Sequence, residues 1–336
     1  MDLLKKIIGY TLKIAFSVAI IWYLLHKSGA SFRDFSGLSP LWVLFGMLAL
    51  LVQNMMTGVR WFSLLRAIGI RISLPEAVSL TMQGVFFTLF IPAGAVSGDL
   101  VKATLLGART SGDERFNGIA SILIDRICGF AGLLMAIVIT VPAFSPVIRT
   151  FPESLQTTVW IVFLFCIAGL CCITALFLYT AFLKIKFIKI IWDWCDRITK
   201  GFFNRTANVI ELYKKRWKNV IFWSIISGAV LFPLYPISFF CIAKTAVPSS
   251  GGHLAPSFLG GMLGEVISII PLTPGGIGTR DIIVSEIYKG FGFPADTATV
   301  ITTIFTVVLI IVSSVGALFL IADSVKRKKS PDLQEK

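Results

Sequence analysis

Long apolar runs separated by short polar segments dominate the chain. A bilayer crossing takes about 20 apolar residues as a helix. Six runs reach that length: 7–25, 41–60, 117–141, 158–182, 219–243 and 297–322. Two further stretches are interrupted. One, 77–91, meets Pro92-Ala93-Gly94, and the other, 257–273, meets Pro274-Gly275-Gly276. Each is followed by a second short apolar piece, 100–108 and 282–293. Proline removes a backbone donor and ends a helix, so each stretch predicts two half-helices joined by a turn at membrane depth.

The two interruptions share a pattern. Pro92-x-Gly94-x-x-x-x-Asp99 recurs as Pro274-x-Gly276-x-x-x-x-Asp281, 182 residues later. The same offset carries the 41–60 run onto 223–242 and the 117–141 run onto 299–323, and sets Gln83 opposite Glu265. The predicted fold is an all-α polytopic membrane protein with about six full spans and two re-entrant helical hairpins, arranged as inverted repeats. Repeat 1 covers about 7–141 and repeat 2 about 158–322. Secondary transporters with this organisation bind their substrate near the midplane, where broken helices meet.

Composition agrees with that reading. Of the 336 residues 56% are hydrophobic and 15% charged, against about 25% charged in soluble domains. A cytosolic enzyme, a disordered chain and a disulfide scaffold are excluded. The net charge of +13 would suggest nucleic acid in a soluble protein; here membrane topology explains it. With the N-terminus inside and both hairpins re-entrant, the inner segments 1–6, 60–76, 97–118, 183–218 and 323–336 carry 23 Lys and Arg, the outer segments five and the embedded part three, together the 31 in the chain. The positive-inside rule then places both termini in the cytoplasm. Lys5 and Lys6 precede an apolar run with no small-residue cleavage site, so 7–25 reads as a retained span. Ten basic residues lie in 183–218, where apolar positions from Ile185 to Ile198 recur at helical spacing. That segment predicts an amphipathic cytoplasmic helix drawn to anionic lipid. The residues 326–336 form a basic and polar tail. No metal-ligand cluster, P-loop or catalytic constellation is legible, and no cofactor, metal or nucleic-acid partner is expected.

Charge at membrane depth is costly, roughly 2.5–3.5 kcal/mol per residue on insertion scales, so the few embedded charges are the candidate site. Asp99 and Lys102 follow the first turn, three residues apart, and read as a pair on one helix face. Asp125 and Arg126 lie in the third full span and, as helix neighbours, require separate partners. Glu265 lies midway along a half-helix, and Arg280 and Asp281 follow the second turn. Ser97 and Thr279 are candidate N-caps, with Asp99 and Asp281 favoured by the helix dipole. A cation at Arg280 opposes that dipole. It calls for an anion bound at the helix end, or for an ion pair with Glu265 or Asp281. Arg60, beside Trp61, reads as an interface anchor with the cavity as its alternative. Lys13 reads as snorkelling to the inner surface.

Gly58-Val59-Arg60-Trp61, the run from Ile91 to Lys102, Asp125-Arg126 and Pro274-Gly275-Gly276-Ile277-Gly278-x-Arg280-Asp281 resemble the lysylphosphatidylglycerol synthase transmembrane family, a group of flippase-like membrane proteins. The resemblance spans about 7–325 and implies one flippase-like transmembrane domain, 1–325. Members joined to an aminoacyltransferase domain make an aminoacylated lipid and move it between leaflets. This chain stops at Lys336, so synthase activity is not expected of it. Other members are linked to polyprenyl-linked glycans, hopanoids or related lipids. Against the family pattern, Asp281 stands where glutamate is expected and Lys102 where arginine is. The stretch 302–308 lacks an expected arginine, and Val308 is the counterpart of Arg126.

These features lead to one expected function: flipping or export of a lipid or lipid-linked head group, anionic or phosphate-bearing, across the cytoplasmic membrane of a bacterium or archaeon. Arg280 and Lys102 are expected to neutralise the phosphate, and Arg126 is a further substrate-binding candidate. Gly94, Gly98, Gly275, Gly276 and Gly278 are expected to admit it to backbone N–H groups. Asp99, Asp281 and Glu265 are expected to orient the cations or carry a coupled proton. Asp125 and Arg60 are secondary candidates. Membrane lipids are the expected partners, with a lipid- or glycan-synthesising enzyme as a further one. The alternatives are a proton- or sodium-coupled transporter of a small soluble anion, and a non-transporting partner of a lipid or glycan synthase.

Overall fold

The computed structural model describes residues 38–90, 95–110, 112–178, 194, 197–198, 202–246, 252–269 and 273–329. All secondary structure among them is helical: α1 Pro40–Ala67, α2 Leu74–Phe90, α3 Ala95–Gly107, α4 Gly112–Ala143, α5 Glu153–Phe177, α6 Phe202–Lys214, α7 Trp217–Ala246, α8 Leu254–Ile269, α9 Thr279–Gly290 and α10 Ala295–Lys329. A single turn, Ser145–Ile148, links α4 to α5. Helices α1, α4, α5, α7 and α10 are long and apolar enough to cross a membrane. They match five of the six runs; the run 7–25, with Lys13, lies outside the described residues, as does most of 183–201.

Local chemistry sets the helix ends. Proline at the first position of α1 is pre-shaped for a helix start. Ser73 and Glu76 exchange side-chain and backbone contacts at the start of α2, in the pattern of a capping box. The second interruption forms a tight turn, Pro274–Gly276, with Gly275 at φ 59°, Gly276 at 72° and Gly278 at 89°. These left-handed values favour glycine. Two sequence expectations change here. The N-cap of α9 is Gly278, with Thr279 the first helical residue. Ser97 lies inside α3, and its hydroxyl donates to the Phe87 carbonyl across the helix pair.

The two halves use their elements in the same order. Leu74, Ala95 and Gly112 open α2, α3 and α4; Leu254, Thr279 and Ala295 open α8, α9 and α10, which is 180, 184 and 183 residues later. In both halves the short helices pack as a pair, α2 on α3 and α8 on α9, and the second of each pair packs on the following long helix. Between halves, α1 packs on α7, α2 on α10 and α4 on α8. Small residues permit these approaches. Gly98 faces the Gly84 carbonyl, and Gly316 faces the Met82 carbonyl. Membrane helices associate through such packing, since lipid tails supply no hydrophobic drive between them.

Helix α7 departs from α geometry at a π-helical turn, Ser227–Leu231, where it crosses α4. There a Cβ on Gly132 would lie 2.6 Å from the Ser224 carbonyl oxygen and 2.7 Å from the Gly228 nitrogen. Gly132→Val is therefore expected to cost about 1–3 kcal/mol by overpacking. Thermal unfolding in detergent tests this, with Gly252→Ala as the control, because a Cβ there meets nothing within 4 Å. Part of the basic segment also packs inward. Val209, Ile210 and Tyr213 of α6 are buried, and the Tyr213 hydroxyl donates to the Leu64 carbonyl at 3.0 Å.

Candidate substrate-binding site

A cavity of about 270 Å³ lies where the halves meet, with walls from α1, α2, α3, α4, α7, α8, α10 and the Gly275 turn. Six sequence candidates line it: Gly98, Asp99, Lys102, Arg126, Glu265 and Gly275. Both secondary candidates, Arg60 and Asp125, line it as well. Gly276, Gly278, Arg280 and Asp281 are not among its lining residues, and Gly94 lies outside the described residues.

The charges of the first half form a connected cluster. Arg60 Nε donates to Asp125 Oδ1 at 2.8 Å, and its Nη1 donates to Ser227 Oγ at 2.9 Å in the π-helical turn of α7. Gly129 leaves the room this guanidinium occupies; a Cβ there would lie 3.2 Å from Nη1. Lys102 Nζ stands 3.5 Å from Asp125 Oδ2 and 3.8 Å from the centre of the Trp61 ring, a cation–π distance. The Trp61 indole donates to Ser121 Oγ at 3.0 Å, which holds the ring in place. Arg126 makes a two-pronged pair with Asp99, at 2.7 and 2.8 Å.

Three expectations are corrected here. Arg60 is a buried, cavity-lining residue, 5% exposed, and not an interface anchor. Arg60 and Lys102 belong to this cluster and not to the inner loops in which the charge count placed them. Asp99 and Lys102 share a helix face, yet each is paired with α4: Asp99 with Arg126, and Lys102 with Asp125. The neighbours Asp125 and Arg126 do take separate partners.

The second half holds its arginine differently. Arg280 is fully buried. Its Nε and Nη2 donate to Asp281 Oδ1 at 2.8 and 2.6 Å, Nη2 also donates to Thr306 Oγ1, and Nη1 donates to the Tyr235 hydroxyl at 3.3 Å. The guanidinium carbon sits 4.8 Å from the centre of the Phe305 ring. Phe305 in turn stacks on Phe239 with centroids 3.7 Å apart. Asp281 Oδ2 accepts the Gly278 N–H at 2.9 Å, so one carboxylate both caps α9 and balances Arg280. Of the two partners the sequence offered Arg280, the ion pair is with Asp281. Glu265 lies on the cavity wall beside Tyr235, within electrostatic reach of Arg280.

At the 182-residue offset, Arg60, Lys102 and Arg126 correspond to Ile242, Val284 and Val308. The cationic wall therefore belongs to the first half, and the second half adds Glu265. Uncharged polar groups complete the lining: Gln53, Asn54, Thr57, Thr81, Ser268 and Ser313 among them. The sequence reading missed these and Tyr235. The signal for Gln53-Asn54 was present, as two amides in the middle of an apolar run; Tyr235 carried none. Apolar side chains such as Leu89, Phe130 and Leu309 share the walls. Among the described residues no three metal-ligating side chains converge on a site.

No curated protein and no solved structure matches the chain. A family model described as the lysylphosphatidylglycerol synthase TM region matches residues 10–316. Among the described residues, five membrane-length apolar helices accompany that match, which covers nine-tenths of the chain. The chain is thus a multi-pass membrane protein that belongs to the lysylphosphatidylglycerol synthase transmembrane-region family.

Proposed function

We propose that the chain translocates a lipid with an anionic, phosphate-bearing head group across the cytoplasmic membrane. The cavity at the junction of the halves supports this best, because it sets three cations and a ring of uncharged polar groups inside a wall of apolar side chains. Its 270 Å³ falls just below the roughly 300–1,000 Å³ of ordinary small-molecule sites. It takes a head group and leaves the hydrocarbon tail in lipid. Lys102 is the cation best placed to meet a phosphate. Its partner Asp125 is already engaged by Arg60 at a shorter distance, 2.8 against 3.5 Å. Arg126, partly exposed to the cavity, is placed to take a second oxygen.

The repeated element order and matched packing within and between halves support the inverted-repeat reading, with α2–α3 and α8–α9 as the two re-entrant hairpins. In that reading both termini are cytoplasmic. Rocking of one half against the other would expose the cavity alternately to the two leaflets. The apolar share of the walls favours a lipid over a small soluble anion.

Proteoliposomes carrying a trace of fluorescent phosphatidylglycerol, with an external quencher, provide the test. The wild-type protein is expected to expose lipid from the inner leaflet. Lys102→Ala leaves the Arg60–Asp125 pair intact and is expected to fold. Losing one charge-assisted contact, about 1.5–3 kcal/mol, should slow movement roughly ten- to hundredfold. Unchanged movement in Lys102→Ala would remove the proposed role of this cation. Absence of movement of any anionic lipid by the folded wild-type protein would overturn the reading.

A further inference from the structure

We propose that Glu265 takes up a proton when an anionic head group enters the cavity, so that the chain moves the two together. The movement of lipid rests on the translocation reading above; the uptake of a proton on binding does not.

Among the described residues, the carboxylates of Asp99, Asp125 and Glu265 line the cavity and that of Asp281 stands beside the buried Arg280. Three are ion-paired: Asp99 with Arg126, Asp125 with Arg60 and Lys102, and Asp281 with Arg280. Glu265 makes no ion pair within 4.0 Å among the described residues, and it faces the cavity. The charges around it can be counted. Across the cavity stand Arg60 on α1, Asp99 and Lys102 on α3, and Asp125 and Arg126 on α4. On its own side, α7 supplies Tyr235, and α9 supplies Arg280 with its own counter-ion Asp281. Three cations against two carboxylates leave one positive charge, and an ionised Glu265 cancels it. The empty cavity is then neutral. A phosphate diester would add one uncompensated negative charge at a depth where that costs several kcal/mol. Protonation of Glu265 restores neutrality with the phosphate in place. Anion and proton binding therefore favour each other, and by linkage the coupling is reciprocal.

The surroundings of Glu265 suit a group that gains and loses a proton. Tyr235 accepts from Arg280 Nη1, at 3.3 Å, so its own O–H remains available as a donor to the neighbouring carboxylate. The proton comes from water on the side to which the cavity is open. It returns to water on the other side after the head group leaves. Movement is then driven away from the more acidic side. The repeat supplies an internal comparison. The counterpart of Glu265 is Gln83, fully buried, whose amide donates to Ser79 Oγ at 3.1 Å. The fold therefore accommodates the uncharged isostere at this register, and Glu265→Gln is a variant expected to fold.

The experiment uses the full chain in detergent in weakly buffered solution, with a pH indicator, and phosphatidylglycerol as the added probe. Wild-type protein is expected to take up protons as the lipid binds. Glu265→Asp should do the same, and Glu265→Gln should take up none while still binding. Apparent affinity of the wild type should fall by up to about tenfold per pH unit through the range in which Glu265 ionises, and that dependence should vanish in Glu265→Gln. In proteoliposomes, an acid-outside gradient should speed inward movement in the wild type and leave Glu265→Gln unaffected. Lipid movement without proton uptake overturns the inference and leaves translocation standing. Proton uptake without movement supports the inference and overturns translocation. Neither signal overturns both. Preferential, pH-indifferent binding of phosphatidylethanolamine would assign Glu265 to an ammonium group and likewise overturn it.

Discussion

Asp125→Ala is expected to give the largest loss of stability of any single change in the cavity. Asp125 is 3% exposed and balances two cations, Arg60 at 2.8 Å and Lys102 at 3.5 Å. Its removal leaves Arg60 with only its bond to Ser227, and Lys102 with only the face of Trp61, among the contacts of these two residues. Stripping one partner from a buried ion pair costs roughly 3–5 kcal/mol, because the remaining charge stays desolvated. The measurement is the melting temperature and monodisperse yield of detergent-purified protein. Asp125→Asn keeps the shape but not the charge, and should also melt well below the wild type. Replacing the cluster together, as Arg60→Met and Lys102→Met with Asp125→Leu, should recover much of the loss, since removal of all its charges is far less costly than removal of one partner. An Asp125→Ala protein that melts with the wild type would show that the cluster does not hold the helices together.

Arg280→Ala is expected to have an effect of similar size for a different reason. The side chain is fully buried and is spent on Asp281, Thr306, Tyr235 and the face of Phe305. Truncation leaves Asp281 without its cation, frees the Tyr235 hydroxyl and opens a void against the Phe239–Phe305 stack. A loss of roughly 3–5 kcal/mol is expected. Arg280→Lys should rescue little, since an ammonium cannot reproduce the planar fork. The pairing of Arg280→Ala with Lys102→Ala separates structure from substrate contact. Arg280→Ala should lower the melting temperature and lipid movement together, whereas Lys102→Ala should lower movement in a protein that melts near the wild type. Movement lost in Arg280→Ala with an unchanged melting temperature would return Arg280 to the head-group site.

Much of this was legible because a bilayer makes local sequence informative. Spans, the Pro/Gly breaks and the scarcity of embedded charge stand out within windows of about 20 residues. Lys102, Asp125, Arg126 and Glu265 were conspicuous for that reason, and all four line the cavity. Arg60 was harder, because an arginine beside a tryptophan near the end of an apolar run has the composition of an interface anchor. Tyr235 was illegible: one tyrosine among prolines and phenylalanines carries no local mark of a polar role.

The membrane class, the positions of the broken helices and the identities of the buried charges other than Arg60 follow from the order of residues alone, since each depends on neighbours within a few turns. The partners of those charges do not. Arg60 and Asp125 are 65 residues apart, and Arg126 and Asp99 are 27 apart; their meeting depends on how α1, α3 and α4 pack. Packing also turns Arg280 into the interior and leaves Glu265 on the cavity wall, although both lie in the same helix pair. A helix period tells which residues share a face, but the face that meets solvent, a partner or a cavity is set by the neighbouring helices, through glycine contacts whose consequences appear only when the halves are brought together.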